Sequence, residues 1–312
     1  MKKYGFGVDI GGTTCKIGLF EMTGVLMEKW EIPTRKENDG ENILPDVAAS
    51  IATKMVEREI SKTDIQGIGI GVPGPVTSEG VVMRCVNLGW DVINVAKDMT
   101  ERTGFYVKVG NDANVAALGE MWQGGAKGQK DVVMVTLGTG VGGGVIVDGK
   151  IVTGSKGAGG EIGHVTIREE ETESCNCGRK GCLEQYASAT GIVRMAKQKL
   201  EQTTKKTSLR DMNPLTAKDI FDAAKAGDAV ADSIVENMTE ILGAALANIA
   251  CVVNPEVFVI GGGVSKAGSI ITDRVKKYFN EKTFHACRDA HFELATLGND
   301  AGMYGCVQMI LE

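Results

Sequence analysis

The stretch FGVDIGGTTCKIGLF, residues 6–20, joins two apolar runs through a turn of glycine and threonine. A second stretch, VMVTLGTGVGGGVIVDG at residues 133–149, repeats this order of strand, turn and strand. Other apolar runs bounded by glycine alternate with longer segments of helical periodicity, which indicates α/β layers. The repeated hairpin predicts two α/β domains built alike, each with a glycine turn at an interdomain cleft, where ligands commonly bind.

The apolar and periodic segments predict the individual elements. The predicted strands are GFGVDI, KIGLF, GIGIGV, VVMVTL, GVIVDG and VFVIGGG. The predicted helices cover residues 42–60, 91–103, 113–122, 188–201, 217–226, 229–253 and 268–279. A chain of 312 residues is long enough for about two such domains.

Composition and charge restrict the possible functions. The net charge is −6 and the lysines and arginines are scattered, so we expect no nucleic-acid partner. The longest apolar stretch, residues 241–253, is shorter than the ~20 residues that cross a bilayer, and it predicts a buried helix. The first residues lack the apolar region of a signal peptide. We therefore expect a cytoplasmic protein with no membrane partner.

Glycine turns after predicted strands indicate phosphate binding. In DIGGTT, Gly11 and Gly12 leave room for backbone N–H groups to converge on an anion, and Thr13 adds a hydroxyl donor. An ordinary hairpin turn is the alternative. A second glycine turn lies in LGTGVGGG, residues 137–144. A third run, Gly261–Gly263, lies between a strand and a predicted helix, where the helix dipole suits a nucleotide. Together, the three glycine turns indicate a nucleotide held between two domains.

Two common nucleotide motifs do not fit. Residues 138–143 match G-x-G-x-x-G, but a strand follows them where the dinucleotide fingerprint needs a helix. The chain has no G-x-x-x-x-G-K-[ST], which excludes the P-loop fold.

The segment VGNDANVAALGE, residues 109–120, predicts a strand that ends at Asn111 and Asp112, followed by a helix. Asp112 has two interpretations: a cap of that helix, or a general base that accepts a proton from a hydroxyl attacking a phosphoryl group. Asn111 is suited to hold a second hydroxyl. The two interpretations stay open on the sequence alone.

The stretch HVTIREEETESCNCGRKGC, residues 164–182, contains one histidine and three cysteines. Zinc prefers four nitrogen or sulfur ligands in a tetrahedron. A redox pair is the alternative, but no C-x-x-C is present. The predicted ligands of a closed, structural Zn²⁺ site are His164, Cys175, Cys177 and Cys182.

Carboxylates flank this cysteine loop. Glu161 and Glu184 are candidates to accept hydrogen bonds from sugar hydroxyls, and solvated surface glutamates are the alternative. Glu169–Glu171 and Glu173 are expected to be solvated. Asn87 follows another loop of glycine and proline and is a candidate for the same pocket.

These motifs, taken in order, resemble the ROK family of repressors and sugar kinases, most closely its bacterial ATP-dependent glucokinases. The resemblance covers nearly the whole chain, and its elements are DIGGTTCKIGLF, NDANVAALGE, LGTGVGGGVIVDG, EIGH, CNCGRKGCLEQYAS and VFVIGGGVS. It implies the actin-like ATPase fold, hexokinase and ribonuclease H-like, with two α/β domains. We expect a small domain over residues 1–117, completed by a C-terminal helix at 300–312, and a large domain over 118–299 with the zinc-binding loop 164–182.

The resemblance also implies roles for individual residues. Asp112 would be the catalytic base, and His164 would bind zinc through one ring nitrogen and a sugar hydroxyl through the other. The implied sugar-binding residues are Asn87, Asn111, Asp112, Glu161, His164 and Glu184. ATP phosphates would contact Gly11, Gly12, Thr13, Thr139 and Gly140. Gly262 and Gly263 would lie beside adenosine, and Asp9 near Mg²⁺.

We therefore expect transfer of the γ-phosphoryl group of MgATP to the 6-hydroxyl of glucose, in a homodimer or homotetramer. A kinase of the same family for N-acetylmannosamine, mannose, allose or fructose is the first alternative. A sugar-responsive repressor is less expected, because only residues 1–5 precede the first strand, where repressors of the family carry a DNA-binding domain. Polyphosphate or ADP are alternative phosphoryl donors.

Overall fold

The computed structural model describes residues 2–311. Its strands are β1 Tyr4–Ile10, β2 Thr14–Glu21, β3 Leu26–Pro33, β4 Ile65–Val72, β5 Val81–Val82, β6 Ile93–Asn94, β7 Val107–Asn111, β8 Val132–Leu137, β9 Val141–Val147, β10 Lys150–Ile151, β11 Val257–Gly261 and β12 His291–Leu294. Its α-helices are α1 Glu37–Gly40, α2 Ile43–Glu57, α3 Val95–Thr103, α4 Asp112–Gln123, α5 Glu184–Ala187, α6 Ala189–Gln202, α7 Ala217–Lys225, α8 Ala229–Val253, α9 Ser269–Lys282 and α10 Ala301–Met309. Every strand and helix predicted from the periodicity overlaps one of these elements.

Two five-stranded sheets have the same strand order. The first is β3-β2-β1-β4-β7 and the second is β10-β9-β8-β11-β12, so both read 3-2-1-4-5 when each sheet is numbered along the chain. In the first sheet, β1 pairs antiparallel with β2 and parallel with β4, and β4 pairs parallel with β7. In the second, β11 is parallel to both β8 and β12. The repeated hairpin in the sequence is therefore the first two strands of each sheet.

The chain divides into two compact units. The first unit runs from the N-terminus to Lys130 and also contains Gly144–Gly160 and the segment from Thr296 onward. The second contains Asp131–Gly143 and Glu161–Ala295. The division into domains at residues 117 and 299 remains a prediction from the sequence.

Helix α10 packs on the first sheet and on α4 by backbone contact. A Cβ added at Gly69 in β4 would lie 1.8 Å from the carbonyl oxygen of Cys306 in α10. A Cβ at Gly305 would lie 1.6 Å from the carbonyl oxygen of Val115 in α4. Two further glycines have similarly close backbone neighbours: Gly7 and Gly119. Part of the high glycine content therefore serves packing, because no other residue permits so close an approach.

A buried carboxylate fixes the chain before α10. Glu120 in α4 is 0 % exposed. Its side chain accepts backbone hydrogen bonds from Gly125 at 2.8 Å, Thr296 at 3.0 Å and Leu297 at 2.9 Å. A buried charge is tolerated when its oxygens are satisfied in this way. The sequence analysis assigned no role to this residue.

Helix α8 is the one helix within residues 2–311 that is long and apolar enough to cross a membrane by length and composition. However, 61 % of its apolar window is buried inside the protein. Leu242, Leu246 and Ala250 all lie in the core. The helix predicted at residues 241–253 is therefore buried over most of its length, but Cys251 and Val252 near its end are exposed.

The contact between α10 and β4 predicts a strong effect of Gly69→Ala. The added methyl group meets a backbone carbonyl that no side-chain rotation can relieve, so we expect a loss of about 3 kcal/mol in the free energy of unfolding, at the upper end of overpacking effects. Urea denaturation measures this loss. Gly263→Ala is the control, because no atom lies within 4 Å of a Cβ there. Equal stability of the two variants would contradict the packing described.

Candidate functional site

In each unit several of the predicted site residues follow the carboxyl ends of parallel strands, the edge at which open α/β sheets bind ligands. In the first unit, the turn after β1 and the end of β7 share an edge, since both strands are parallel to β4. In the second unit, the pairing of Thr136 with Gly261 brings the turn after β8 beside the glycine run after β11. Each unit therefore gathers its own glycine turns and polar groups at one edge.

The cap of α4 is Asn111. Its side-chain oxygen accepts hydrogen bonds from the backbone N–H groups of Ala113 at 3.0 Å and Asn114 at 3.2 Å. Its amide nitrogen donates to the carbonyl of Gly74 at 3.1 Å. The N-cap position therefore belongs to Asn111 and not to Asp112, although the Asp112 carboxyl also accepts a hydrogen bond from the first-turn N–H of Ala113 at 2.8 Å. The Asn111 oxygen and one amide hydrogen are thus bonded to the backbone, and the Asn111 side chain also forms a hydrogen bond with the Asp112 carboxyl.

Asp112 directly follows the carboxyl end of β7, and its side chain is exposed. Desolvation by the surrounding protein raises the pKa of its carboxyl above the ordinary value. Hydrogen bonds from the Ala113 backbone and the Asn111 side chain oppose this shift. A carboxylate that is open to a ligand and has a raised pKa suits a general base.

Asp9, at the end of β1, lies in the same electrostatic environment. Burial raises its pKa to about 6, Lys16 lowers it, and the nearby charge of Asp112 raises it further. Two carboxylates at one edge disfavour each other's ionisation and favour a bound cation.

The turn after β1 is closed by a hydrogen bond from the Gly11 N–H to the Thr14 carbonyl at 3.0 Å. A Cβ at Gly12 would meet nothing closer than the Asn87 carbonyl oxygen at 3.8 Å, an ordinary contact. Nothing in the protein itself therefore requires glycine at position 12. Asn87 is exposed in a 3₁₀ turn beside it, and Thr13 is also exposed.

The turn after β8 adjoins Glu184. The Glu184 carboxylate accepts a hydrogen bond from the Val141 N–H at 3.0 Å, and a Cβ at Gly140 would lie 2.1 Å from the same oxygen. Glycine at 140 thus makes room for this carboxylate. The neighbouring Thr139 is exposed, and its carbonyl accepts a hydrogen bond from the Thr190 hydroxyl at 2.8 Å.

The glycine run after β11 differs from the expectation in one respect. Gly262 has a φ of 84°, and its backbone lies against Leu137, so it needs glycine. A 3₁₀ helix, Gly263–Ala267, follows, and α9 begins only at Ser269. The dipole of an α-helix is therefore not directly at the run, and the backbone N–H groups of the turn are the available donors.

The structure brings together all four predicted metal ligands. The ligand atoms of His164, Cys175, Cys177 and Cys182 lie within 4.8 Å of one another. The Cys177 and Cys182 sulfurs are 3.7 Å apart, and the Cys175 sulfur is 3.9 Å from Nδ1 of His164. Four ligands about 2.1–2.3 Å from a tetrahedral zinc lie about 3.5–3.8 Å apart. The cluster is thus compatible with zinc, and Nε2 of His164 remains for another partner.

The thiols of this cluster differ in the direction in which the protein shifts their pKa. Burial, with the other two thiols nearby, raises the pKa of Cys182 to about 12. A hydrogen bond from the Arg179 backbone lowers the pKa of Cys177. A divalent cation would favour the thiolate form of all three and would remove the cost of keeping them together.

A sequence model of the ROK family matches residues 5–312. The chain belongs to the ROK family. A glucokinase of Halalkalibacterium halodurans is 44 % identical over 96 % of this chain and 92 % of its own. A glucokinase of Thermotoga maritima is 35 % identical over 98 % and 96 %. The crystal structure of a ROK family glucokinase from Streptomyces griseus, in complex with glucose and AMPPNP, has a TM-score of 0.76 and 32 % identity, over 98 % of both chains. The predicted actin-like ATPase fold is confirmed.

The predicted ligand residues of this ROK protein are divided between the units. Those in the first unit are Asp9, Gly11, Gly12, Thr13, Asn87, Asn111 and Asp112. Those in the second unit are Thr139, Gly140, Glu161, His164, Glu184, Gly262 and Gly263, with the three cysteines. Glu161 is exposed, directly before the 3₁₀ turn that carries His164.

One expectation about the cysteine loop was wrong. Glu169, Glu170 and Glu173 are exposed as predicted, but the Glu171 side chain is only 11 % exposed. It pairs with Arg194 at 2.8 Å, and this hydrogen bond lowers its pKa to about 2. The sequence carried no signal for this pair, because 23 residues separate the partners.

The raised pKa of Asp9 predicts a pH-dependent stability. A carboxyl with a higher pKa in the folded protein contributes stability below its ordinary pKa of 3.8, and this contribution is lost as the pH rises through about 6. We therefore compare the two proteins without Mg²⁺ or nucleotide. Between pH 4 and 6.5, the unfolding free energy of the wild type should fall by about 2–3 kcal/mol more than that of Asp9→Asn. Urea denaturation at several pH values, with the exposed Asp222→Asn as the control, tests this. Parallel curves for wild type and Asp9→Asn would contradict it.

Proposed function

We propose that this ROK protein is a glucokinase, which transfers the γ-phosphoryl group of MgATP to the 6-hydroxyl of glucose and releases glucose 6-phosphate and ADP. The observation that carries the proposal is the exposed carboxylate of Asp112, with its raised pKa, at the edge that also holds a glycine turn. The two relatives named glucokinase, similar over nearly their full length, and the related structure with glucose and an ATP analogue support the choice of substrates.

Asp112 acts as the general base. Its carboxylate accepts the proton of the sugar's 6-hydroxyl as the hydroxyl oxygen forms a bond to the γ-phosphorus. The bond from this phosphorus to the β–γ bridging oxygen breaks, and ADP leaves with that electron pair. Such a transfer depends mainly on positioning and charge stabilisation. Asn111 holds Asp112 at the start of α4 by capping the helix.

The remaining site residues have assigned roles within this proposal. The sugar is bound by Asn87, Asn111, Asp112, Glu161, His164 and Glu184. The phosphates of ATP are bound by Gly11, Gly12, Thr13, Thr139 and Gly140. Gly262 and Gly263 lie beside adenosine, and Asp9 interacts with the Mg²⁺ that accompanies ATP. Open space at Gly12 and Gly263 supports these roles, because a ligand explains glycine where the fold does not require it.

A structural Zn²⁺ is held by His164, Cys175, Cys177 and Cys182. Their ligand atoms lie within 4.8 Å of one another, which is compatible with a tetrahedral ion, and the protein would fill all four of its coordination positions. Such an ion fixes the loop and does not activate water. Since Nδ1 of His164 faces Cys175, its Nε2 is the nitrogen assigned to the sugar. We also assign the protein to the cytoplasm, and to a homodimer or homotetramer, as the family resemblance implies.

Asp112→Asn tests the catalytic base. The amide keeps the shape of the side chain and one acceptor oxygen but takes up no proton, so kcat should fall about 10²–10⁴-fold, the usual contribution of general base catalysis. Glucose binding, measured by calorimetry, should change little. The surface variant Asp222→Asn serves as the control for a lost charge. Near-normal turnover by Asp112→Asn would exclude this residue as the base.

Metal analysis tests the zinc assignment. Protein purified without added zinc should contain about one equivalent per chain. Cys177→Ser should lose most of this metal and should be less stable to heat. Cys251→Ser, at another exposed cysteine, should keep it. Equal zinc contents of the two variants would show that the cluster is not the metal site.

A further inference from the structure

The side chain of Arg194 on α6 contacts both the cysteine loop and α5 in the second unit. Its Nη2 donates to the carboxylate of Glu171 at 2.8 Å and to the backbone carbonyl of Gln185 at 3.2 Å. Its Nη1 lies 3.3 Å from the carboxylate of Glu173. The Arg194 side chain is 19 % exposed and that of Glu171 is 11 % exposed. The main pair is therefore largely removed from water, where charge-assisted hydrogen bonds are strongest.

Tyr186 on α5 completes this arrangement. Its hydroxyl donates to the same Glu171 oxygen at 2.6 Å. The guanidinium carbon of Arg194 lies 5.2 Å from the centre of its ring, within the range of cation–π attraction. Burial and the Glu171 charge raise the pKa of Tyr186 to about 12, so its hydroxyl remains a donor. We call Glu171, Tyr186 and Arg194 the Arg194 clamp.

The Arg194 clamp holds both ends of the cysteine loop. Glu171 lies before the first cysteine, and Tyr186 lies after the last. Between them, the Gln185 side chain accepts a hydrogen bond from the Cys182 N–H at 3.1 Å and donates to the Glu173 carbonyl at 3.0 Å. The loop is thus closed by side chains that are not metal ligands.

The N-terminal end of α6 is hydrogen-bonded to the glycine turn after β8. The Ala189 N–H donates to the Gly138 carbonyl at 2.8 Å, and the Thr190 hydroxyl donates to the Thr139 carbonyl at 2.8 Å. Glu184, whose carboxylate accepts a hydrogen bond from the Val141 N–H, lies two residues before Tyr186 on α5. Helix α6 therefore connects the turn to the cysteine loop through Arg194.

We infer that Arg194 is a positioning residue, whose contacts with Glu171 and Tyr186 hold the cysteine loop and α5 on α6. In this way it keeps Glu184 and His164 in their places. Residues that support metal ligands from outside commonly act in this way. The part of this inference that concerns sugar affinity rests on the proposed function, whereas the part that concerns the order of the loop does not.

A comparison of Arg194→Gln with Arg102→Gln tests the inference. Arg102 pairs with Asp98 at 2.6 Å in the first unit, but its side chain is 41 % exposed, so it is a matched surface pair. In Arg194→Gln, amides of residues 165–187 should exchange hydrogen about 10-fold faster or more, and zinc should pass to a chromophoric chelator about 10-fold faster or more. Arg102→Gln should leave both rates unchanged.

Steady-state kinetics supply a second readout. Arg194→Gln should raise KM for glucose about fivefold or more, since outer contacts commonly change affinity by an order of magnitude. KM for ATP should change less, because the bonds of Ala189 and Thr190 to the turn remain. Tyr186→Phe removes one hydroxyl and keeps the ring. Amides of residues 165–187 should therefore exchange hydrogen faster than in the wild type, but by a smaller factor than in Arg194→Gln. This variant tests the inference if Arg194→Gln fails to fold.

Exchange and zinc transfer at wild-type rates in Arg194→Gln and Tyr186→Phe would overturn the inference. A wild-type protein that phosphorylates no sugar would overturn the proposed function, and the exchange measurement would still decide the role of Arg194. Faster exchange of the loop with an unchanged KM for glucose would overturn the claim that the clamp positions the sugar-binding residues.

Discussion

The backbone contact of α10 with the first sheet and with α4 is the constraint on which the first unit depends. Helix α10 lies so close to β4 that the carbonyl of Cys306 occupies the place of a side chain at Gly69. The same helix reaches Asp9, since a Cβ at Gly302 would lie 2.9 Å from the Asp9 carboxyl carbon. This packing removes water from Asp9, and burial is the main cause of its raised pKa. Since α4 begins at Asp112, the packing that fixes this helix also helps to fix the proposed base.

In the second unit, polar contacts and not apolar packing hold the cysteine loop in place. Its cysteine loop contains few apolar side chains, and burial of apolar surface cannot hold such a segment. Four converging ligand atoms and the buried Glu171–Arg194 pair act instead. The loop leads directly into Glu184, whose carboxylate is bonded to the turn after β8. The proposed structural metal would therefore lie next to residues that we assign to the sugar, because the same short segment supplies both.

Much of this architecture was predictable from sequence, because its signals are local. Hydrophobic periodicity located the main strands and helices, and helix α8 was predicted with the bounds that the structure has, residues 229–253. Ligand types and spacing located the cluster of candidate metal ligands. Strand β3 was missed although LMEKWEIP alternates as an edge strand does, with every second residue exposed. Its signal was present in the sequence.

Other features depend on contacts that one sequence does not reveal. The Glu171–Arg194 pair and the bonds of Glu120 to residues 296 and 297 join distant parts of the chain. The choice between Asn111 and Asp112 as the cap required the backbone angles, because both residue types are common at that position. Likewise, glycines that serve packing, such as Gly69, and glycines with open space, such as Gly12, have the same appearance in a sequence.

The reaction proposed for this ROK protein is the phosphorylation of glucose by MgATP. The most direct test is the initial rate of sugar phosphate formation from glucose, mannose, fructose, N-acetylglucosamine and N-acetylmannosamine, each supplied with MgATP, ADP or polyphosphate. We expect the highest kcat/KM for glucose with MgATP, and glucose 6-phosphate as the product. A higher value for another sugar or donor would contradict the proposed substrates but not the fold, and no phosphorylation of any sugar would contradict the kinase itself.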